Sequence, residues 1–263
     1  MKQLTRFFGC ALLVSTLFVS GGCKKLLDYI GEHPGQGGSN YCALQEFAYK
    51  GPYFDAWDTL KFSYNAVGNP VTIMRKQTGT SRLNYFFRYD NKNRLTNLIG
   101  SYGTIPGTSP EVWNKYFYDG SGRIVLDSVY FFGEVVNGQP TTGEYGNAWA
   151  VKYEYDAKDR ITKYSYVLGA NPYYVETYAY DASGNRTGDS YDSKVNFHQT
   201  NKIWMFLDRN YSVNNPVTKA SYTYNSTGLP VTINVTSDNL SFLNPPEEDE
   251  VYIAATIKYD CHY

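Results

Sequence analysis

Tyr116-Phe117-Tyr118-Asp119-Gly120-Ser121-Gly122-Arg123 reads as the end of a strand followed by a turn. Aromatics at i and i+2 stand on one face of an extended chain. The Asp that follows can accept a bond from the backbone two residues on and open a type I turn. Gly122, three residues later, supplies the left-handed backbone that a type I turn with a bulge demands. Ile124-Val125-Leu126 then resumes as strand, so the stretch is a β-hairpin.

The same phrase recurs at Phe62-Ser63-Tyr64-Asn65, Phe87-Arg88-Tyr89-Asp90, Tyr153-Glu154-Tyr155-Asp156, Tyr178-Ala179-Tyr180-Asp181 and Tyr222-Thr223-Tyr224-Asn225, with a truncated copy at Ile257-Lys258-Tyr259-Asp260. Three residues past each turn opener stands Gly68, Asn93, Asp159, Gly184 or Gly228, all types that tolerate a positive φ. From Tyr64 through Tyr89, Tyr118, Tyr155, Tyr180 and Tyr224 to Tyr259 the spacings are 25, 29, 37, 25, 44 and 35 residues, so the unit is 25 residues and the longer intervals hold insertions. Such a unit supplies two strands, whereas a propeller blade needs four strands and about 40 residues. The reading is an all-β fold. It is a meander of about 12–14 antiparallel strands in hairpin repeats, curled into a roll or incomplete barrel because so wide a sheet does not stay flat.

Eleven of the 27 Tyr among 263 residues stand in this phrase, whose paired positions are tyrosine except at Phe62, Phe87 and Ile257, so much of the tyrosine excess is repeat architecture. With 24 Lys+Arg against 25 Asp+Glu there is no electrostatic footprint for a phosphate backbone, and no nucleic-acid partner is expected. A chain that is 42% apolar and 17% aromatic can bury a core, which excludes general disorder.

Residues 1–22 read as an address. Lys2 and Arg6 form a positive n-region, Phe7 to Gly22 is an uncharged run, and Val19-Ser20-Gly21-Gly22-Cys23 resembles the lipobox of bacterial lipoprotein signal peptides, with Ser20 where an aliphatic residue is usual. That resemblance makes Cys23 the lipid-attachment residue and the membrane a partner through the N-terminal lipid. It implies export and anchoring at the bacterial outer membrane, on its periplasmic or its surface face. A mature chain from Cys23 has 22 basic against 25 acidic residues, a balance of −3. Residues 23–40 read as a flexible tether, rich in Gly around Pro34, and residues 41–263 as one repeat domain. Cys10 leaves with the signal peptide and Cys23 is acylated, so Cys42 and Cys261 remain. In an oxidising compartment they are expected to form a disulfide, with two free thiols or a redox pair as the alternatives.

The phrase Tyr-Asp-x-x-Gly-Arg, intact at 118–123, resembles the YD repeat of the Rhs family, whose repeats build a spiralling β-sheet shell. It is also similar to the repeats of small bacterial lipoproteins that carry them after a lipobox. Those proteins share segments like Tyr191-Asp192-Ser193-Lys194-Val195-Asn196-Phe197, Ile203-Trp204-Met205-Phe206 and Asn214-Asn215-Pro216. The resemblance covers about residues 41–263 and implies fold and location but no activity.

Function is sought where the repeat is interrupted. In the longest interval, apolar residues at 203, 206 and 207 predict one short helix near 201–209, capped by Thr200 or Asn201 and covering a mouth or edge of the roll. His198 beside it is expected to be hydrogen-bonded structure. Two other insertions end in Trp113 and Trp149, candidates for a ligand platform that stacks on a glycan or fills a pocket of another envelope protein; the competing assignment is that they plug the core. The acidic run at 247–250 lacks the alternation and Gly of a calcium loop, so no metal site and no cofactor are expected. No GxSxG, HExxH or phosphate-loop motif is present, and no catalytic residue is assigned. The expected function is a lipid-anchored envelope protein of scaffold or binding type rather than an enzyme. The alternative is a hydrolase acting on polysaccharide through paired carboxylates.

Overall fold

The computed structural model describes residues 41–50, 57–76, 78–80, 82–105, 110–141, 148–168, 171–235 and 254–262. The expected signal peptide, Cys23, the tether and the acidic run at 247–250 lie outside them. Cys42 and Cys261 are joined as a disulfide. The elements below belong to the unit Cys42–Asp260, apart from Tyr41 at the start of the first strand and Cys261 and His262 at the end of the last.

Strands β1 (Tyr41–Lys50), β2 (Asp58–Tyr64), β3 (Pro70–Arg75), β4 (Asn84–Tyr89), β5 (Leu95–Ser101), β6 (Pro110–Tyr118) and β7 (Ile124–Phe131) are successive antiparallel neighbours. A small hairpin of β8 (Val135–Val136) and β9 (Gln139–Pro140) intervenes before β10 (Ala148–Tyr155), β11 (Ile161–Leu168) and β12 (Asn171–Thr177). A separate ribbon pairs β13 (Tyr191–Val195) with β14 (Asn214–Pro216) and is followed by β15 (Ala220–Tyr224), β16 (Pro230–Val235) and β17 (Ala254–His262). Thirteen strands make one sheet in the order β12-β11-β10-β7-β6-β5-β4-β3-β2-β1-β17-β16-β15. The sheet is not closed into a barrel, so β12 and β15 are its edges.

The order departs from a pure meander at one place. β17 lies between β1 and β16, which puts the last three strands on the far flank of β1. Pairing β17 with β1 removes what would otherwise be a long unpaired edge at the start of the sheet.

The turns follow the sequence reading. Gly68, Asn93, Gly122, Asp159, Gly184 and Gly228 all have positive φ. Each turn opener takes the backbone N–H of the third residue on, as in Gly122 N–H to the Asp119 carbonyl at 3.1 Å. The opener's Oδ1 also accepts from the second and fourth N–H groups: Asp119 takes Ser121 and Arg123, both at 2.9 Å, and Asn65 takes Val67 at 3.1 Å and Asn69 at 3.0 Å. Register shifts at Ser63/Tyr64, Arg88/Tyr89, Phe117/Tyr118, Glu154/Tyr155 and Thr223/Tyr224 place a bulge at the second tyrosine of these hairpins.

That tyrosine joins one repeat to the previous one. Its hydroxyl donates to the carbonyl that opens the second strand of the preceding hairpin: Tyr89 to Pro70 (2.6 Å), Tyr118 to Leu95 (2.7 Å), Tyr155 to Ile124 (2.6 Å), Tyr180 to Ile161 (2.9 Å) and Tyr259 to Pro230 (2.7 Å). Where the repeat has Asp and Arg, the guanidinium closes the turn and continues the chain of contacts. Arg123 donates from Nε and Nη2 to Asp119 Oδ2, both at 2.8 Å, and lies 5.4 Å from the Tyr155 ring centre in the next repeat. Arg94 over Tyr118 (4.6 Å) and Arg160 over Tyr180 (4.0 Å) repeat the arrangement. The backbone N–H of Arg94 holds the Asp90 carboxyl below its usual range, and Arg123 N–H does the same for Asp119.

The first aromatic of each pair lines the inner face, where the interval between Tyr180 and Tyr224 supplies a cover. A 3-10 turn (Phe197–Thr200) leads into α1 (Lys202–Leu207), with Asn201 Oδ1 accepting from Ile203 N–H at 2.9 Å as N-cap. The helix is where the pattern predicts, but it does not cover an edge. Trp204 packs edge-on against Phe62 (5.5 Å) and Phe87 (5.9 Å), and Phe206 against Tyr116 (5.4 Å) and Tyr153 (5.2 Å). Two aromatics of one helical turn thus bridge four repeats on β2, β4, β6 and β10. Such pairs add about 0.5–1.5 kcal/mol each beyond area burial, which favours the middle of the face over its rim.

Candidate functional site

The regular ladder stops at β11 and β12. Tyr164 and Tyr166 on β11 continue the inner face, but the tyrosines of β12 fall outside the repeated phrase. The pairing shifts between Tyr166 (opposite Tyr174) and Val167 (opposite Pro172), so Tyr173 is the extra residue of a bulge. A bulge breaks the alternation of side chains, and Tyr173 and Tyr174 both reach the same partner: their ring centres lie 6.0 and 5.9 Å from that of Tyr166. Tyr173 is 58% and Tyr174 46% exposed, and Val175 is exposed beside them on the sheet edge.

These rings are braced from behind. Trp149 meets Tyr173 edge-on at 5.6 Å and Tyr166 at 6.1 Å, while Phe131 supports Trp149 at 5.8 Å. Tyr164 packs against Tyr174 and Tyr178, each at 6.0 Å. Glu176, two residues beyond Tyr174, accepts from the Tyr164 hydroxyl at 2.5 Å and from Tyr174 at 3.1 Å. Burial works against its charge, but bonds from Tyr164, Tyr178 and Tyr174 outweigh it and hold the carboxyl below its usual range. Arg186 covers the Tyr178 ring at 3.6 Å and donates to the Arg209 carbonyl. Burial pushes the Tyr178 phenol up to about 12, and the nearby Arg186 limits the rise.

Deeper on the same face lies Asp127, whose place on β7 is opposite Tyr116. Its Oδ2 accepts from Asn114 Nδ2 at 2.9 Å, and its buried Oδ1 has no hydrogen-bond partner among the described residues. Burial pushes its carboxyl up to about 7, opposed by the Asn114 bond and by the Arg209 charge. Arg209, in a left-handed conformation (φ 50°) just past α1, lies 4.3 Å from the centre of the Tyr164 ring. Alternation counted from Ile124 would turn Asp127 outward; the bulge at the turn reverses it, so Asp127 faces inward with Val129 only through strand pairing, and neither Asp127 nor Arg209 is marked in the sequence.

The two tryptophans separate. Trp113 is 1% exposed in a second, smaller core with Phe86 and Ile99, its Nε1–H donating to Asn97 Oδ1 at 2.8 Å and the Arg88 guanidinium 4.9 Å from the ring. It plugs the outer face and offers no platform. Trp149 lies half-buried on the inner face behind Tyr173. Parity explains the split: Trp113 stands three residues before Tyr116 and so faces the other way, whereas Trp149 stands four before Tyr153 and shares its side. The β8–β9 hairpin is held to the outer face of β4 and β6 by Arg88 to the Gly138 carbonyl (3.4 Å) and Lys115 to Gln139 Oε1 (3.0 Å).

His198 is buried, with Nδ1 at 2.8 Å from Asn196 Oδ1 and Nε2 at 2.6 Å from Asp208 Oδ2. It fastens the 3-10 turn to the end of α1. The buried acids of the sheet have structural partners: Asp58 pairs with Arg75 at 2.6 Å, Glu111 accepts from Tyr102 and Asp127 from Asn114. Among the described residues, no group of three His, Cys, Asp or Glu side chains is placed to hold a metal ion.

No protein-family model matches the chain, and no curated protein matches it. Among solved structures it is similar to a porin-like protein from Bacteroides uniformis ATCC 8492, at 10% identity and TM-score 0.47 over 84% of this chain and 97% of that one. It is also similar to the TcdB2-TccC3 structure, at 13% identity and TM-score 0.29 over 70% of this chain, which spans 9% of that one. A second such structure, TcdB2-TccC3-Cdc42, matches at 12% identity and TM-score 0.28, again over 70% of this chain and 9% of that one. At these scores the likenesses add nothing to the argument about the site.

Proposed function

We propose that the chain is a lipid-anchored protein of the bacterial cell envelope that binds a glycan or another envelope protein, and that the β12 corner is its contact surface. The observation that carries this reading is the contrast in how tyrosines are used. In the repeats the second tyrosine, Tyr224 excepted, gives its hydroxyl to a backbone carbonyl, whereas Tyr173 and Tyr174 stand exposed side by side on an edge strand. Braced aromatics facing solvent supply contact area at little cost in conformational entropy, the usual character of binding hot spots. Asp58 and Glu111 are engaged by Arg75 and Tyr102, and Asp127 by itself is not the carboxylate pair a glycosidase uses, so binding accounts for the corner better than hydrolysis does.

The anchor is tested by Cys23→Ala, which is expected to move the protein from the membrane to the soluble fraction; unchanged partition removes the lipid. The contact surface is tested by Tyr174→p-benzoylphenylalanine with photo-crosslinking in cells. A discrete adduct, protein or glycan, is expected at 174 and not at the same substitution of Phe117 on the outer face. Equal labelling at both positions sinks the assignment.

A further inference from the structure

We propose that Tyr173, Tyr174 and Glu176 form a subsite for a neutral polysaccharide, the two phenol rings stacking on pyranose faces while the Glu176 carboxylate accepts ligand hydroxyls. This rests on the binding reading above and narrows it to one ligand class.

The chemistry of the corner selects the ligand. A pyranose presents an apolar C–H face rimmed by hydroxyl groups, and here two exposed rings stand beside a carboxylate and its phenols. The bulge at Tyr173 sets the two rings on one side, and Trp149, Tyr166 and Tyr164 hold them there before any ligand arrives, which lowers the ordering cost of binding. A carboxylate offers about four acceptor sites, so acceptor capacity remains after its bonds to the phenols. Glu176, held ionised by its phenol bonds, disfavours an acidic polymer by like charge, and the Arg186 cation that also acts on it is turned to the Tyr178 ring and the Arg209 carbonyl.

Other occupants fit less well. An added peptide strand needs a continuous row of backbone donors, but Pro172 has no N–H and the bulge disturbs the spacing along this edge. A stable protein partner takes roughly 800 Å² per side. The exposed apolar run here is Tyr173, Tyr174 and Val175, each about half exposed, which amounts to roughly 300 Å² at the usual size of such side chains.

Affinity electrophoresis of the purified full chain through gels holding mixed-linkage β-glucan, xylan, galactomannan or polygalacturonate tests this. At least one neutral polymer is expected to retard the native chain, with at least a tenfold loss of affinity in the Tyr173→Ala/Tyr174→Ala double variant and no change in Phe117→Ala, an aromatic 46% exposed on the outer face. Urea unfolding of the double variant at the native midpoint excludes a folding defect. The proposal is overturned if no neutral polymer retards the chain, if the double variant is retarded as strongly as the native protein, or if polygalacturonate binds as well as the neutral polymers. A protein adduct at position 174 with no retardation by any polymer overturns the subsite and leaves the broader binding reading standing. With neither adduct nor retardation, both fall.

Discussion

The hairpins β4–β5 and β6–β7 and the corner β11–β12 are built from the same tyrosine-rich strands, yet they use the residue in opposite ways. In the hairpins, the turn fixes a bulge at the second tyrosine and its hydroxyl meets the carbonyl of the previous repeat, as Tyr118 meets Leu95 at 2.7 Å. At the corner the bulge falls at Tyr173, away from a repeat turn, and the rings face solvent. Residue type is therefore a poor guide to role in this chain. Position relative to the turn decides whether a tyrosine is mortar or surface.

Four measurements separate the two regions further, the largest effect first. Trp204→Ala removes the ring that bridges β2 and β4 and is expected to cost about 3–5 kcal/mol in urea unfolding. Tyr173→Ala, at the exposed corner, is expected to stay within about 0.5 kcal/mol. If both cost the same, the division between mortar and surface fails.

Asp127 lies between the two regions and gives a pH signature. Burial lifts its carboxyl from the ordinary 3.8 up to about 7, so over that range the folded protein keeps a proton that the unfolded chain has lost. Stability from this group therefore falls as pH rises from about 4 to about 7 and is level beyond. Three pKa units at about 1.4 kcal/mol each amount to roughly 4 kcal/mol. Asp127→Asn is expected to gain on the native protein over that window and to show no further gain above pH 7. A stability difference between the two proteins that is flat from pH 4 to 8 contradicts the buried-carboxyl account.

The ladder itself is tested by Tyr118→Phe, which deletes one hydroxyl and leaves the Leu95 carbonyl without that donor, at a cost of about 1–2 kcal/mol. Tyr174→Phe, whose hydroxyl is one of several on Glu176, is expected to cost less than half as much. The smallest effect belongs to Arg123→Gln: the Arg123–Asp119 pair lies at the surface, where solvent screens it, and its loss is expected to move the urea midpoint less than any of the other substitutions. A larger loss would mean that its stacking on Tyr155 is the stronger contact.

Local features were legible because they are local. The positive φ at Gly122 and Asp159, the Asp119 turn and the Asn201 cap each follow from side chains within four residues of the backbone they serve. The candidate site was legible only in part. Both Trp149 and Trp113 end insertions, yet Trp149 supports the corner and Trp113 is buried, because the side a residue faces depends on counting back from the strand's tyrosine. Tyr173 and Tyr174 are not legible as surface residues, because nothing in Asn171-Pro172-Tyr173-Tyr174 marks a bulge, which exists only through pairing with β11.

By itself the sequence determined the hairpin unit, its turns, the aromatic face and the presence and position of one helix, since all of these arise from contacts a few residues apart. Only the tertiary structure decided that β17 pairs with β1, that the helix lies over the middle of the sheet, that Asp127 and Arg209 share a buried setting and which tyrosines face solvent. These depend on segments as distant as Asn201 and Gly68, whose contact at 3.1 Å no local pattern can encode. The physical reason is that hydrogen-bonded turns are specified by neighbours along the chain, whereas burial and register are specified by whatever the folded chain brings opposite.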